Sequence, residues 1–242
     1  MFRPTRVDSL IPPPGTLPPM SRPIVVDIDG TMSRADRSIE GRVIDALRDW
    51  DGPVVVATGK AFPYPVGLCD FVGIRVRIIA ENGGVVCAED AVEVHGDAAA
   101  AWRAADRIRA AGYDLGWDGA DLVNRWRETE VAVAPSVPRE VVDEAAAAEG
   151  LEVVDSGFAL HVKSAEVSKG LALRTVADLL GLDASDFAAI GDSENDVPTF
   201  EVVGTSYAVA NADDRALDAA DVVTDGSYAD GLLEALAAID DE

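Results

Sequence analysis

The run Ile24-Val25-Val26-Asp27-Ile28-Asp29-Gly30-Thr31 constrains this chain more than any other segment. Its β-branched residues read as a strand buried on both faces, as in a parallel sheet covered by helices. The strand ends abruptly in two carboxylates spaced i, i+2, and then a glycine lets the chain turn. Successive strand residues face opposite ways, but a chain that is leaving its strand can bring both acids to one cleft. Open α/β sheets place ligands at that carboxyl edge. Alone, the run also fits a strand followed by an acidic turn, so the remaining segments decide.

Those segments alternate. Ser38 to Trp50 has helical spacing at Ile39, Val43, Ile44 and Leu47, with Ser38 as its cap. Pro53 to Ala57 reads as a second buried strand, ending in Thr58-Gly59. A short helix is expected near Val66 to Phe71, then a third strand, Val76 to Ala80, ending in Glu81-Asn82-Gly83-Gly84. After Ser168 the same rhythm resumes with a helix from Lys169 to Leu180, stopped by Gly181. Phe187 to Ile190 is a strand running into Gly191-Asp192-Ser193-Glu194-Asn195-Asp196. Two more strands (Tyr207 to Val209, Asp221 to Thr224) and two helices close the chain. The expected fold is α/β: a doubly wound, Rossmann-like parallel sheet.

Between these halves the rhythm changes. Val85 to Ala88 and Val92 to Val94 flank a turn at Glu89-Asp90, which predicts a hairpin. Ala98 to Ala111 is helical, Leu122 to Ala134 reads as extended, Pro138 to Glu149 is a second helix, and two strands follow. This αββ-like pattern predicts an inserted α+β domain over residues 84–160. The doubly wound domain then comprises residues 21–83 and 161–242, with hinges near Gly83-Gly84 and residues 160–166.

The bulk numbers exclude several functions. Of 242 residues, 44 are acidic and 20 basic, for a formal net charge of −24. Only three are lysines: Lys60, Lys163 and Lys169. Nucleic-acid backbones demand basic surfaces, so no nucleic-acid partner is expected. The acidic balance fits a cytoplasm of high salt, where cations screen self-repulsion. No apolar run is long enough for a membrane span. Cys69 and Cys87 form no spaced motif and read as free thiols in a reducing compartment. Residues 1–20, with Pro12-Pro13-Pro14-Gly15 and Pro18-Pro19, read as a disordered tail. Met20 just before the first strand is a candidate translation start.

Chemistry-bearing residues gather where strands end. Asp27 and Asp29 follow the first strand, Thr58 and Gly59 the second, and Asp192 and Asp196 a later one, while Lys169 opens a helix. A turn residue, a helix cap or a solvated lysine would explain each singly. Four segments carrying polar groups to one predicted sheet edge argue for a site. Their order and spacing, D-I-D-G-T, A-T-G, S-K-G and A-I-G-D-S-E-N-D, resemble the haloacid dehalogenase superfamily of phosphatases from about residue 23 onward. The insert matches the caps of its Cof-like and sucrose-phosphatase-like branch. The cap run Val123-Asn124-Arg125-Trp126-Arg127-Glu128, with Glu81-Asn82-Gly83-Gly84, is similar to the archaeal-type phosphoglycolate phosphatases.

That resemblance implies a Mg2+-dependent phosphomonoester hydrolase dephosphorylating a small phosphorylated acid, 2-phosphoglycolate. Asp27 would be the nucleophile and Asp29 the general acid and base. The metal ligands implied are an Asp27 oxygen, the Asp29 backbone carbonyl and Asp192, with Asp196 either ligating or orienting Lys169. Thr58, Gly59, Lys169 and Asn195 would hold the phosphoryl group. Strand alternation over the cap run would put Arg125 and Arg127 on one face, where arginine can read a carboxylate bidentately. The alternative is that these arginines offset nearby acids on a solvated cap. His161 and Lys163 lie where the chain leaves the cap, and His161 is expected to bond locally. The competing functions are a sugar-phosphate phosphatase of the same superfamily and a non-catalytic binding protein on the same fold. A monomer or homodimer is expected.

Overall fold

A computed structural model describes residues 21–241; the expected tail and the Met20 start lie outside the described residues. Strand β1 (Ile24–Asp27) lies at the centre. Helix α1 (Gly41–Arg48), β2 (Val54–Ala57), α2 (Pro63–Val72) and β3 (Ile78–Ala80) follow. Then come the hairpin β4 (Val85–Ala88) and β5 (Ala91–Val94), α3 (Ala98–Ala110), β6 (Val131–Val133) and α4 (Arg139–Ala147). Strands β7 (Leu151–Asp155) and β8 (Leu160–Ser164) lead to α5 (Lys169–Leu180) and β9 (Ala188–Gly191). The chain ends in α6 (Val197–Phe200), β10 (Thr205–Ala208), α7 (Asp214–Ala219), β11 (Val222–Val223) and α8 (Tyr228–Asp240). Among the described residues no helix is long and apolar enough to cross a membrane.

The described strands form an eight-stranded sheet, ordered β11-β10-β9-β1-β2-β3-β4-β5, and a three-stranded sheet, β6-β8-β7. From β11 to β3 the neighbours run parallel. Alternation along β1 explains why helices cover both faces. Ile24 and Val26 pack with Val43, Cys69 and Leu232 of α1, α2 and α8. Val25 points the other way, to Leu173 and Val176 of α5. Strand order reverses between β1 and β9, and such a switch point opens a crevice at the strands' carboxyl ends. Register makes those ends level: Asp27 is opposite Ala57, and Val26 is opposite Ile190. Thr58 and Asp192 therefore emerge beside Asp27.

The structure moves the expected domain boundary. The hairpin forms as read, but β4 pairs antiparallel with β3, extending the large sheet. A tight turn over Glu81–Gly84 returns the chain beside β3, so Gly84 stands in the connection between two paired strands of the large sheet. The smaller sheet, with α3 and α4 on it and its own core around Ile108, Val131 and Val162, runs from Ala98 to Ser164. Its connections to the large sheet are residues 95–97 and 165–168. The strand that follows Gly83-Gly84, expected in the inserted segment, thus pairs within the large sheet.

Two local readings also change. Ser38 does not cap α1, which begins after Glu40; the Ser38 hydroxyl donates to Asp36 at 2.6 Å instead. Residues 122–130 are turns, and only Val131–Val133 is strand. Asn124 supplies the reason. Its buried side-chain amide donates to the Ala132 carbonyl at 2.9 Å and accepts from the Ala132 N–H at 2.8 Å, taking the place of a strand neighbour.

Candidate active site

The nucleophile candidate is held by a buried lysine. Asp27 ends β1, buried, and its Oδ1 accepts a hydrogen bond from Lys169 Nζ at 2.7 Å. Lys169 donates equally to Asp196 Oδ1, at 2.7 Å. Ser168 caps α5 by accepting from the Leu171 N–H, which sets Lys169 at the first helical position with its side chain turned inward. A cation is unfavourable at a helix N-terminus, and burial also works against it. The Asp196 and Asp27 carboxylates outweigh both and hold the Lys169 pKa above its ordinary range.

Asp192 and Asp196 occupy the turn after β9. Asp196 Oδ2 accepts from the Asp192 and Ser193 N–H groups at 3.1 and 3.2 Å, closing a capping box with Ser193. Both Asp196 oxygens thus accept hydrogen bonds, Oδ1 from Lys169 and Oδ2 from the loop N–H groups. Asp192 Oδ1 accepts from the Thr31 hydroxyl at 3.0 Å. Gly30, at φ +86°, lets the 28–32 turn approach: a Cβ there would sit 2.0 Å from Asp192 Oδ2.

One oxygen from each of Asp27, Asp192 and Asp196 lies within 4.8 Å of the others. Burial pushes the Asp27 carboxyl up to about 7, with Asp196 and Asp29 adding to it against the pull of Lys169. Burial, then the charges of Asp27 and Asp196, push Asp192 up to about 9. A buried set of mutually repelling oxygens fits a hard divalent cation, which neutralises charge that burial disfavours.

Asp29 belongs to a different arrangement. It is not one of the three clustered acids, and its side chain pairs with Lys60 Nζ at 2.7 Å. Lys60 follows Thr58-Gly59 directly, and its rarity in this chain was the signal that could have found it. Thr58 is buried; its Oγ1 accepts from the Lys60 N–H at 3.1 Å, leaving the hydroxyl proton for an incoming oxygen. Asn195 donates to Asn82 Oδ1 at 2.9 Å and accepts from the Ser193 hydroxyl at 2.7 Å.

The cap arginines part company. Arg125 is exposed on the 122–127 turns, whereas the Arg127 side chain is buried. Arg127 donates to the Gly59 carbonyl at 2.9 Å and pairs with Glu130. With no strand there, the expected shared face does not exist. Glu130, which sequence reasoning passed over, also meets His161 Nδ1 at 2.8 Å and accepts from Asn82 Nδ2 at 2.9 Å. Burial alone would raise its carboxyl; His161 and Arg127 outweigh that and hold it down to about 2. His161 bonds locally as expected, its Nε2 lying 3.0 Å from the Ser156 hydroxyl. Lys163 is buried 2.5 Å from Glu152, lining a cleft of about 550 Å3 that also touches Asn82, Lys169 and Asn195.

Asp27, Asp29, Lys60, Arg127, Phe158 and His161 line a smaller space of about 20 Å3. This holds about one water.

Comparison with known proteins agrees with this geometry. The family of haloacid dehalogenase-like hydrolases matches residues 141–236. A phosphoglycolate phosphatase from Natronomonas pharaonis is 57% identical over 219 residues, covering 90% of this chain and 97% of its own. One from Halobacterium salinarum is 58% identical over 214 residues, covering 88% and 95%. Both sources are halophilic archaea, in line with the acidic composition. Among solved structures, a Thermoplasma acidophilum protein has the same fold, with a TM-score of 0.78 at 24% identity, covering 91% of this chain and 98% of its own.

Proposed function

The chain belongs to the phosphoglycolate phosphatases of the haloacid dehalogenase-like hydrolases, and from this we propose that it hydrolyses 2-phosphoglycolate through a phospho-Asp27 intermediate. One observation carries the reading. A buried carboxylate at the switch point is gripped by a lysine at 2.7 Å, within a three-acid cluster, while a second carboxyl two residues on pairs with a different lysine.

A phosphomonoester dianion repels a carboxylate, so charge must be neutralised first. Asp27, Asp192 and Asp196, with the Asp29 backbone carbonyl, are the groups that would hold Mg2+. When bound, the ion supplies Lewis-acid neutralisation of the phosphoryl oxygens. Asp27 forms a bond to phosphorus as the ester P–O bond breaks. The Asp29 carboxyl gives its proton to the departing alkoxide. Its carboxylate then takes a proton from the water that attacks phospho-Asp27, and this releases phosphate and restores both acids. The Thr58 hydroxyl and Lys169 ammonium face the equatorial oxygens, where transition-state charge accumulates. Arg127, fixed by Glu130 and Gly59, presents its guanidinium to the same space and is the group suited to a substrate carboxylate. Arg125 has no such position.

The test is phosphate release with Mg2+ at high KCl, comparing 2-phosphoglycolate with sugar phosphates and phosphoglycerates. A clear kcat/KM preference for phosphoglycolate is expected. Preference for a hexose phosphate refutes the substrate, and absence of turnover on every ester refutes the enzyme.

A further inference from the structure

We propose that Lys60 is a positioning residue for the Asp29 carboxyl, and that Phe158 of the cap sets it in place only when the cap is closed. The inference rests on the reading of Asp29 as proton donor.

Lys60 is fixed at its backbone and free at its tip. Its N–H donates to Thr58 Oγ1 and its carbonyl accepts from the Glu81 N–H at 3.0 Å. Among the described residues its ammonium pairs with one carboxylate, Asp29 Oδ2. An ion pair left open to water contributes little and holds its geometry poorly. Lys60 and Asp29 are only about one quarter exposed, at 26% and 25%. Among the groups around them is the Phe158 ring, whose centroid lies 5.2 Å from Lys60 Nζ. That is within cation–π range.

The ring comes from the cap. Phe158 stands on the turn between β7 and β8, stacked on Trp117 at 5.4 Å with 23° between planes. Trp117 Nε1 in turn donates to the Ala132 carbonyl at 2.8 Å, tying the pair to the cap sheet. Across the cleft, Arg37 of the core also meets the Phe158 ring, at 5.0 Å. A cap aromatic is therefore clasped by two core cations, one of which holds the acid. If the cap moves to admit substrate, Phe158 leaves and the Lys60–Asp29 pair is hydrated. Closing the cap restores an aligned Asp29 over a committed substrate and withholds it otherwise.

The experiment exploits leaving groups. Glycolate must depart protonated, whereas the acetate of acetyl phosphate, a compound of nearly equal size, departs without help. Single-turnover consumption of each is followed on Mg2+-loaded protein in high KCl. Asp29→Asn should lose about 10²–10⁴-fold on phosphoglycolate and little on acetyl phosphate. Lys60→Met should lose about 10- to 100-fold on phosphoglycolate and under about threefold on acetyl phosphate, with Lys60→Arg recovering part of the loss. Phe158→Leu should lose about three- to thirtyfold with the same ester selectivity. Combining it with Lys60→Met should add nothing, because the ring acts through the lysine. Equal losses of Lys60→Met on both esters would make Lys60 a phosphate ligand and overturn the proposal. Additive losses in the double variant would overturn the part played by Phe158. If Asp29→Asn itself shows no ester selectivity, the acid assignment fails first, a result distinct from either.

Discussion

Glu130→Gln is the sharpest probe of how the cap is held to the core. Glu130 is fully buried and joins four groups: Arg127, His161 and Asn82 directly, and Gly59 through Arg127. Its carboxyl is held from 4.5 down to about 2. At about 1.4 kcal/mol per pH unit this corresponds to roughly 3 kcal/mol of native-state stability at neutral pH. Removing one partner of a buried pair strands the other, at a cost of about 3–5 kcal/mol, which agrees. For a protein of this size each kcal/mol moves Tm by about 2–4 °C. Glu130→Gln should therefore melt roughly 6–12 °C below wild type at pH 7. Being buried, the pair is little screened, so the gap should be similar in 0.5 and 3 M KCl. Its pH dependence has a definite sign. A carboxyl held low stabilises fully above its unfolded value of 4.5, and that stability is lost as pH falls towards 2. The gap should narrow below pH 4.5. Calorimetric melts at both salts and at pH 7 and 4 test this. A gap under 2 °C at pH 7, or one that high KCl abolishes, refutes the argument.

Three other outcomes follow from the site. Asp27→Asn should keep the fold and lose at least about 10³-fold in kcat for phosphate release, because an amide cannot replace the proposed carboxylate nucleophile. Chelation should stop turnover, and adding Mg2+ should raise Tm in the wild type but not in Asp192→Asn, which melts independently of metal. Arg127→Ala should raise KM for phosphoglycolate about tenfold or more, while Arg125→Ala should change it by less than about twofold; equal effects in steady-state assays would return the two arginines to one face.

What was legible in the sequence was the part built from local signals at strand ends. Asp27, Thr58 and Asp192 follow runs of buried β-branched or small residues, and parallel register makes neighbouring ends level without further information. What was hidden depended on partners distant in the chain. The hairpin at 85–94 was visible, yet which sheet it joins depends on the return turn over Glu81–Gly84. The 122–130 segment has the residues of a strand, but Asn124 substitutes its side chain for a backbone neighbour eight positions away. That one amide turns Arg127 inward and leaves Arg125 outside. Glu130 looked like one more acid in an acidic chain, and only the convergence of Asn82, Arg127 and His161 distinguishes it.

The lysines show how an acidic protein can bind a dianion. A net charge of −24 repels phosphate esters at long range. In molar salt the screening length falls to about 3 Å, so only cations in near contact with the substrate or its reacting acids matter. Two of the chain's three lysines, Lys169 and Lys60, are placed accordingly, whereas Lys163 pairs with Glu152. Lys169 is wholly buried on Asp27 and Asp196, Lys60 pairs with Asp29, and Lys163 is 5% exposed in the adjoining cleft. A buried ammonium retains its Coulomb strength in salt that would quench a surface one. A surface rich in acids and a site built on buried cations are therefore compatible. Turnover should tolerate rising KCl far better than in a phosphatase that draws its substrate in by a positive surface. Steady-state kcat/KM on phosphoglycolate between 0.5 and 3 M KCl decides this: a fall steeper than about tenfold would mean that long-range attraction, and not the buried lysines, brings the substrate to Asp27.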